Sequence, residues 1–223
     1  MARSRLRSAA VMSGLVRFLA ALLVFSVVAC SRDQPVVFAP LPPGAVVLVV
    51  GDSLVAGTGA SQAQAWPVGL ARRTRWEIVN AGVPGDTTAG ALERLPDLIA
   101  DHRPDALIIA IGGNDFLRNV PTDVTRANLE VLIRESRATS RHVALVAIPA
   151  LSLGRAAVGR LSDHEMYAAL AREHELALVP SAVSDVLSRE EWRSDRIHAN
   201  AEGYARIAEK VAESLAAQGW VRR

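Results

Sequence analysis

The residue types here that could carry out acyl transfer are a serine at the end of an apolar run, a histidine far along the chain with an aspartate three residues before it, and glycine- and asparagine-bearing turns between them. A serine hydroxyl becomes a nucleophile only with a base in hydrogen-bond reach and a third group that orients the base. Ser53 lies in Gly51-Asp52-Ser53-Leu54, and Asp195-Arg196-Ile197-His198 stands near the C-terminus, followed by Asn200 as a helix cap. On a turn, that three-residue separation lets the carboxylate accept the Nδ1 proton of the imidazole while Nε2 points out toward the serine. Developing negative charge on a substrate oxygen needs donors fixed in advance. Asn114, in Gly112-Gly113-Asn114-Asp115, offers a side-chain NH₂. Gly85, in Asn80-Ala81-Gly82-Val83-Pro84-Gly85-Asp86-Thr87, offers a backbone N–H near the start of a helix. Taken singly, each motif also reads as an ordinary turn, because Gly, Asn and Asp are turn residues and Ser is a helix cap.

The elements between these motifs alternate. Short β-branched and leucine-rich runs at Val46 to Val50, Trp76 to Asn80, Asp105 to Ile111, His142 to Ile148 and Leu176 to Pro180 read as strands buried on both faces. Segments of helical spacing lie at Trp66 to Arg73, Thr87 to Asp101, Thr122 to Arg137, Ser162 to His174 and Asn200 to Ala217. Strands alternating with helices imply a three-layer α/β/α sandwich with a parallel sheet. For five strands the flavodoxin-like order 2-1-3-4-5 is expected, with ligands bound where strands one and three part. That rule makes no use of motifs, yet it selects the loops after Val50 and Ile111, where Asp52-Ser53 and Asn114-Asp115 stand.

In this order the motifs resemble one family, the bacterial GDSL esterases of the SGNH hydrolase superfamily, within it the thioesterase I, lysophospholipase L1 and arylesterase group. The similarity runs from about Val46 to Ala217. It is carried by Gly51-Asp52-Ser53-Leu54 with Ala56-Gly57, Trp66-Pro67, Asn80-Ala81 with Gly85-Asp86-Thr87, Gly112-Gly113-Asn114-Asp115, and Asp195, Ile197, His198 and Asn200. The resemblance implies Ser53 as nucleophile and His198 as base oriented by Asp195. It implies an oxyanion hole from the Ser53 amide, Gly85 and Asn114, with no cofactor and no metal. Val55, Phe116, Arg196 and Ala199 depart from the residues usual in the group. None removes a catalytic atom, but Phe116 adds a ring beside the oxyanion hole and Arg196 a charge beside the triad.

Composition narrows the partners. The 223 residues are 50% apolar and 22% charged, enough for a substantial core. The formal charge is +2, yet the first 30 residues carry four arginines and no acid, so the body is slightly acidic and nucleic-acid binding is disfavoured. Phe18 to Ala29 is apolar apart from Ser26 and too short to span a bilayer, for which about 20 residues are needed. After a basic segment it reads as a signal peptide over residues 1–30, ending in a lipobox-like Val27-Val28-Ala29-Cys30. Cys30, the sole cysteine, is the expected lipidation site. The expected location is then the cell envelope, facing the periplasm, on the outer membrane in a Gram-negative host because Ser31 follows. Without lipidation, a secreted or periplasmic protein is expected. A proline-rich tether over 31–44 and a hydrolase domain over 45–223 complete the expected organisation.

Other signatures are missing. No Gly-x-Ser-x-Gly elbow, dinucleotide fingerprint or P-loop occurs, and the remaining histidines lack metal-ligand spacing. His102, His142, His164 and His174 read as surface or helix-end residues, and the four tryptophans as core or cleft wall. The expected activity is hydrolysis of a small acyl ester or thioester through an acyl-serine. Its rivals are a carbohydrate O-deacetylase of the same superfamily and a non-catalytic flavodoxin-like binding lipoprotein. The apolar loop Pro149 to Leu161 is expected to cover an acyl tail.

Overall fold

A computed structural model describes residues 38–150 and 161–221. Strands β1 (Val46–Gly51), β2 (Glu77–Gly82), β3 (Ala106–Ala110), β4 (His142–Val146) and β5 (Ala177–Val179) form one sheet in the order β2-β1-β3-β4-β5. All four pairings are parallel. This is the order expected, and the strand sequences account for it. β3 is buried at every residue and β1 at all but its first, as central strands covered on both faces must be. β2, at the edge, has only exposed and half-buried residues until Ala81.

Helices cover both sides of the sheet. They are α1 (Ser53–Ala56), α2 (Trp66–Thr74), α3 (Thr88–His102), α4 (Gly113–Leu117), α5 (Thr122–Thr139), α6 (Glu165–Glu173), α7 (Ala182–Leu187) and α8 (Ala201–Ala217). α2 and α7 pack against α8, and α3 packs against α5. Two long helices start at side-chain caps, the Thr87 side chain accepting from Gly90 N and the Asn200 side chain from Gly203 N, whereas α5 follows Pro121 with no side-chain cap. The short helices α1, α4 and α7 have too few turns to display a 3.6-residue period, and α1 and α4 grow directly from the turns after β1 and β3.

Trp66, Trp76 and Trp220 are core residues. Trp192 is half-buried between the guanidinium groups of Arg189 and Arg206, 4.9 and 4.8 Å from its ring centre. Residues 38–44, at the end of the segment read as a tether, lie along the body. Phe38 N donates to Gln218 O and Leu41 N to Trp220 O, while the Phe38 ring rests on His142 and Trp220. Of the Pro149 to Leu161 loop, residues 151–160 lie outside the described residues, as do Cys30 and the whole of 1–37.

Candidate active site

The turns after β1, β2 and β3 emerge at one edge of the sheet, since Gly51 is in register with both Gly82 and Ala110. Ser53 opens α1 immediately after β1. Asp52 caps that helix, its Oδ1 accepting from Leu54 N at 3.0 Å. Capping holds Ser53 in the first turn, where its N–H has no intrahelical acceptor.

The base arrives from the other end of the chain on a narrow hairpin. Arg193 and Ala199 form an antiparallel bridge, and Ser194 N donates to His198 O at 3.0 Å. Asp195 Oδ1 accepts from the main-chain N–H of Ile197 and of His198, each at 2.8 Å, which leaves Oδ2 to meet His198 Nδ1 at 2.7 Å. His198 Nε2 lies 3.0 Å from Ser53 Oγ. An ionised carboxylate only accepts, so Nδ1 carries the proton and Nε2 is left to accept from the serine hydroxyl. The chemistry such a chain of contacts supports is proton removal from Ser53. The structure thus brings Ser53, His198 and Asp195 together across 145 residues of sequence.

The candidate oxyanion donors surround the serine's turn. Gly85 is the third residue of a turn over Val83-Pro84-Gly85-Asp86, with φ +79° and Asp86 N donating to Val83 O at 3.0 Å. Proline at the second position and glycine at the third are what a type II turn demands, since its third residue needs positive φ. Among the described residues neither the Ser53 N–H nor the Gly85 N–H donates to a protein acceptor. Asn114 lies in α4. Its Nδ2 donates to Asp86 O at 2.9 Å and, at 3.3 Å, to Asp52 Oδ2. Its neighbour Asp115 is buried and serves the fold: it accepts from Thr88 N and Thr88 Oγ1, pinning α4 to the start of α3.

Two carboxylates differ in state for physical reasons. Burial raises Asp52 to about 6, an effect only partly offset by the Leu54 N–H and by His198. For Asp195 burial pushes upward, but the bonds from the His198 ring and from two main-chain N–H groups together outweigh it, so it is held below the ordinary carboxylate range.

Several residues support the site through contacts that the local sequence does not signal. Asn200, expected as a helix cap and as part of the block with Asp195 and His198, also donates from Nδ2 to Glu191 O at 2.8 Å and Arg193 O at 3.4 Å, closing the base of the hairpin. Arg118 Nη2 donates to Gly85 O at 2.7 Å. Phe116 stacks on His164, with ring centres 5.0 Å apart and 14° between planes. Asp52 and Asp86 stand within the motifs themselves. Asn114, which donates to Asp52 Oδ2 and to the Asp86 carbonyl, comes from an element remote in sequence, and no spacing rule could have matched it to them.

Residues 49–206 match the model of the GDSL-like lipase/acylhydrolase family. The thioesterase 1/protease 1/lysophospholipase L1 of Escherichia coli strain K12 is 33% identical over 176 residues, spanning 76% of this chain and 82% of its own. An arylesterase of Vibrio mimicus is 33% identical over 178 residues, spanning 76% and 87%. A crystal structure of TesA superposes with a TM-score of 0.68 at 32% identity, over 78% of this chain and 99% of that one.

Proposed function

This chain belongs to the GDSL-like lipase/acylhydrolase family and is an ester-hydrolysing enzyme, and from that premise we propose that it cleaves acyl esters or thioesters through an acyl-serine on Ser53. The observation that carries this is the line of contacts from Asp195 Oδ2 through His198 to Ser53 Oγ, at 2.7 and 3.0 Å. Ser53 Oγ attacks the substrate carbonyl as its proton passes to His198 Nε2, and the carbonyl π pair moves onto oxygen. That oxyanion is received by the Ser53 and Gly85 N–H groups and the Asn114 amide. Collapse expels the alcohol or thiol, which takes the proton from His198. Water, activated by the same Nε2, then releases the acid and restores Ser53. Asp195 holds the reactive tautomer and stabilises the imidazolium throughout.

The names of the relatives, a thioesterase, a lysophospholipase and an arylesterase, support acyl esters and thioesters as the substrate class. A fluorophosphonate probe should label wild-type Ser53 and leave Ser53→Ala unlabelled; an unlabelled wild type overturns the reading. With p-nitrophenyl esters from acetate to palmitate, kcat/KM should rise up to a few-fold per carbon until the acyl site is full, each buried CH₂ contributing about 0.8 kcal/mol. A profile peaking at acetate assigns the enzyme instead to O-deacetylation. Cys30 is proposed as a lipid attachment site at the cell envelope, on the basis of the apolar Phe18 to Ala29 run and the small residue before the thiol. Cys30→Ala should then abolish fatty-acid labelling and release the enzyme from the membrane fraction. Unchanged membrane association, with no label on the wild type, refutes that placement.

A further inference from the structure

Arg94, in the second turn of α3, touches none of the reacting groups, yet its guanidinium meets the supports of all three candidate oxyanion donors. Nε donates to Asp86 Oδ2 at 2.8 Å, Nη1 to Ala81 O at 2.7 Å and Nη2 to Gly51 O at 2.9 Å. Gly51 is the last residue of β1, one peptide before the Asp52-Ser53 turn, and Ala81 lies one residue before the end of β2. The guanidinium thus bridges the seam where the two strands part. Asp86 follows Gly85 directly, and its carbonyl is the acceptor for Asn114 Nδ2 at 2.9 Å. The Ser53 N–H, the Gly85 N–H and the Asn114 amide are therefore each one or two residues, or one hydrogen bond, from a residue that Arg94 holds.

A planar fork of donors can serve three acceptors in three directions at once, whereas an ammonium is a compact point charge that cannot match that geometry. The site is built to receive this one. The side chains of Arg94 and Asp86 are only 23% and 11% exposed. At Gly90 an added Cβ would stand 2.1 Å from Asp86 Oδ1, so the carboxylate occupies the space that a side chain would otherwise fill over the first turn of α3. Thr87 N, at 2.9 Å, completes its shell. Two of the three acceptors of Arg94 are main-chain carbonyls at the site's edge. An ion pair serving general stability has no need of them.

We propose that Arg94, seated through Asp86 in the space left by Gly90, is a positioning residue that sets the spacing of the oxyanion donors. The proposal rests on the acyl-serine reading. It adds that donor spacing is controlled from α3, by Arg94 and Gly90 acting on the motif residue Asp86.

The test uses Arg94→Ala, Arg94→Lys and Gly90→Ala, the last of which displaces the same carboxylate without altering Arg94. Each is assayed for kcat and KM on a p-nitrophenyl ester and for urea midpoint. Each is also titrated with an alkyl trifluoromethyl ketone, which adds to Ser53 and places an oxyanion in the hole, and with the matched methyl ketone, which binds without adding. Misplacement of donors by a fraction of an ångström to about 1 Å should lower kcat about 10- to 100-fold. It should weaken the trifluoromethyl ketone by the same factor and leave KM and the methyl ketone within about threefold. Guanidinium ion should restore part of kcat to Arg94→Ala and none to Gly90→Ala. If kcat and trifluoromethyl ketone affinity stay at wild-type levels while only the urea midpoint falls, Arg94 is a structural residue and the proposal is overturned. Should Arg94→Ala fail to fold, unchanged trifluoromethyl ketone affinity in both Arg94→Lys and Gly90→Ala overturns it equally. Failure of the parent reading looks different: wild-type Ser53 takes no fluorophosphonate and no adduct forms in any protein, and both proposals then fall.

Discussion

Replacing Asn114 with alanine affects two separate quantities. In the resting enzyme both hydrogens of its amide have acceptors, Asp86 O at 2.9 Å and Asp52 Oδ2 at 3.3 Å. The second is near the limit of a useful hydrogen bond. A neutral substrate carbonyl competes poorly with a carboxylate for that hydrogen, whereas a full oxyanion competes well. The bond to substrate therefore forms as charge develops, and its loss belongs in kcat rather than KM. Removing one such donor lowers kcat about 10²- to 10³-fold, or about 3–4 kcal/mol. The second quantity is stability. Truncation strips a donor from the Asp86 carbonyl and from a carboxylate whose residue is only 2% exposed. Asn114 is only half-buried, so water can enter in place of the amide, and the cost should lie at the lower end of the roughly 1–3 kcal/mol for an orphaned acceptor. Measuring kcat, KM and urea midpoint on one preparation separates the two effects. Asn114→Asp is the companion variant: it keeps the shape, removes both donors and sets a second carboxyl beside Asp52, so its kcat should fall below that of Asn114→Ala. A destabilised Asn114→Ala with wild-type kcat, or one whose KM rises while kcat holds, would remove Asn114 from the oxyanion hole.

Asp52→Asn should stabilise the protein at high pH. The folded-state value of about 6 exceeds the ordinary 3.8, so relative stabilisation is present below the lower value and is lost as pH rises through the higher one. The variant should gain up to about 3 kcal/mol over wild type near pH 8 and nothing near pH 2.5, read from urea midpoints; equal midpoints at pH 8 refute this. Asp195 has a side chain 51% exposed, so water can take its place at His198 Nδ1. Asp195→Ala should therefore retain at least about tenfold more activity than His198→Ala, and equal losses would contradict that account. Asn200→Ala removes the cap of α8 and both ties across the base of the hairpin. It should cost about 1–2 kcal/mol and speed hydrogen exchange at Ile197 and His198, with kcat falling in parallel. Unchanged exchange at those two amides would show that the hairpin holds without Asn200.

The parts that sequence alone determined are those set by local physics. Strands buried on both faces must be nearly continuous in Val, Leu, Ile and Ala, and β1 and β3 are, so their positions and the parallel sheet order were legible. Pro84-Gly85 writes a type II turn, Thr87 and Asn200 write helix starts, and a serine, an asparagine and an Asp-x-x-His segment at strand ends identify candidate chemistry. What only tertiary structure decided is where hydrogen-bonding capacity goes between segments distant in sequence. Nothing local says that Asp115 serves Thr88 while its neighbour Asn114 faces Asp52 and Asp86, because two adjacent polar residues in a turn have the same propensities. Arg94 looks in sequence like any arginine on an amphipathic helix. Its role exists because α3 crosses the seam between β1 and β2 at the height where two carbonyls and a carboxylate converge. Periodicity reports which face of an element is apolar. Long-range polar partners are instead selected by the packing of whole elements, within a few tenths of an ångström, and no pattern along the chain encodes that distance.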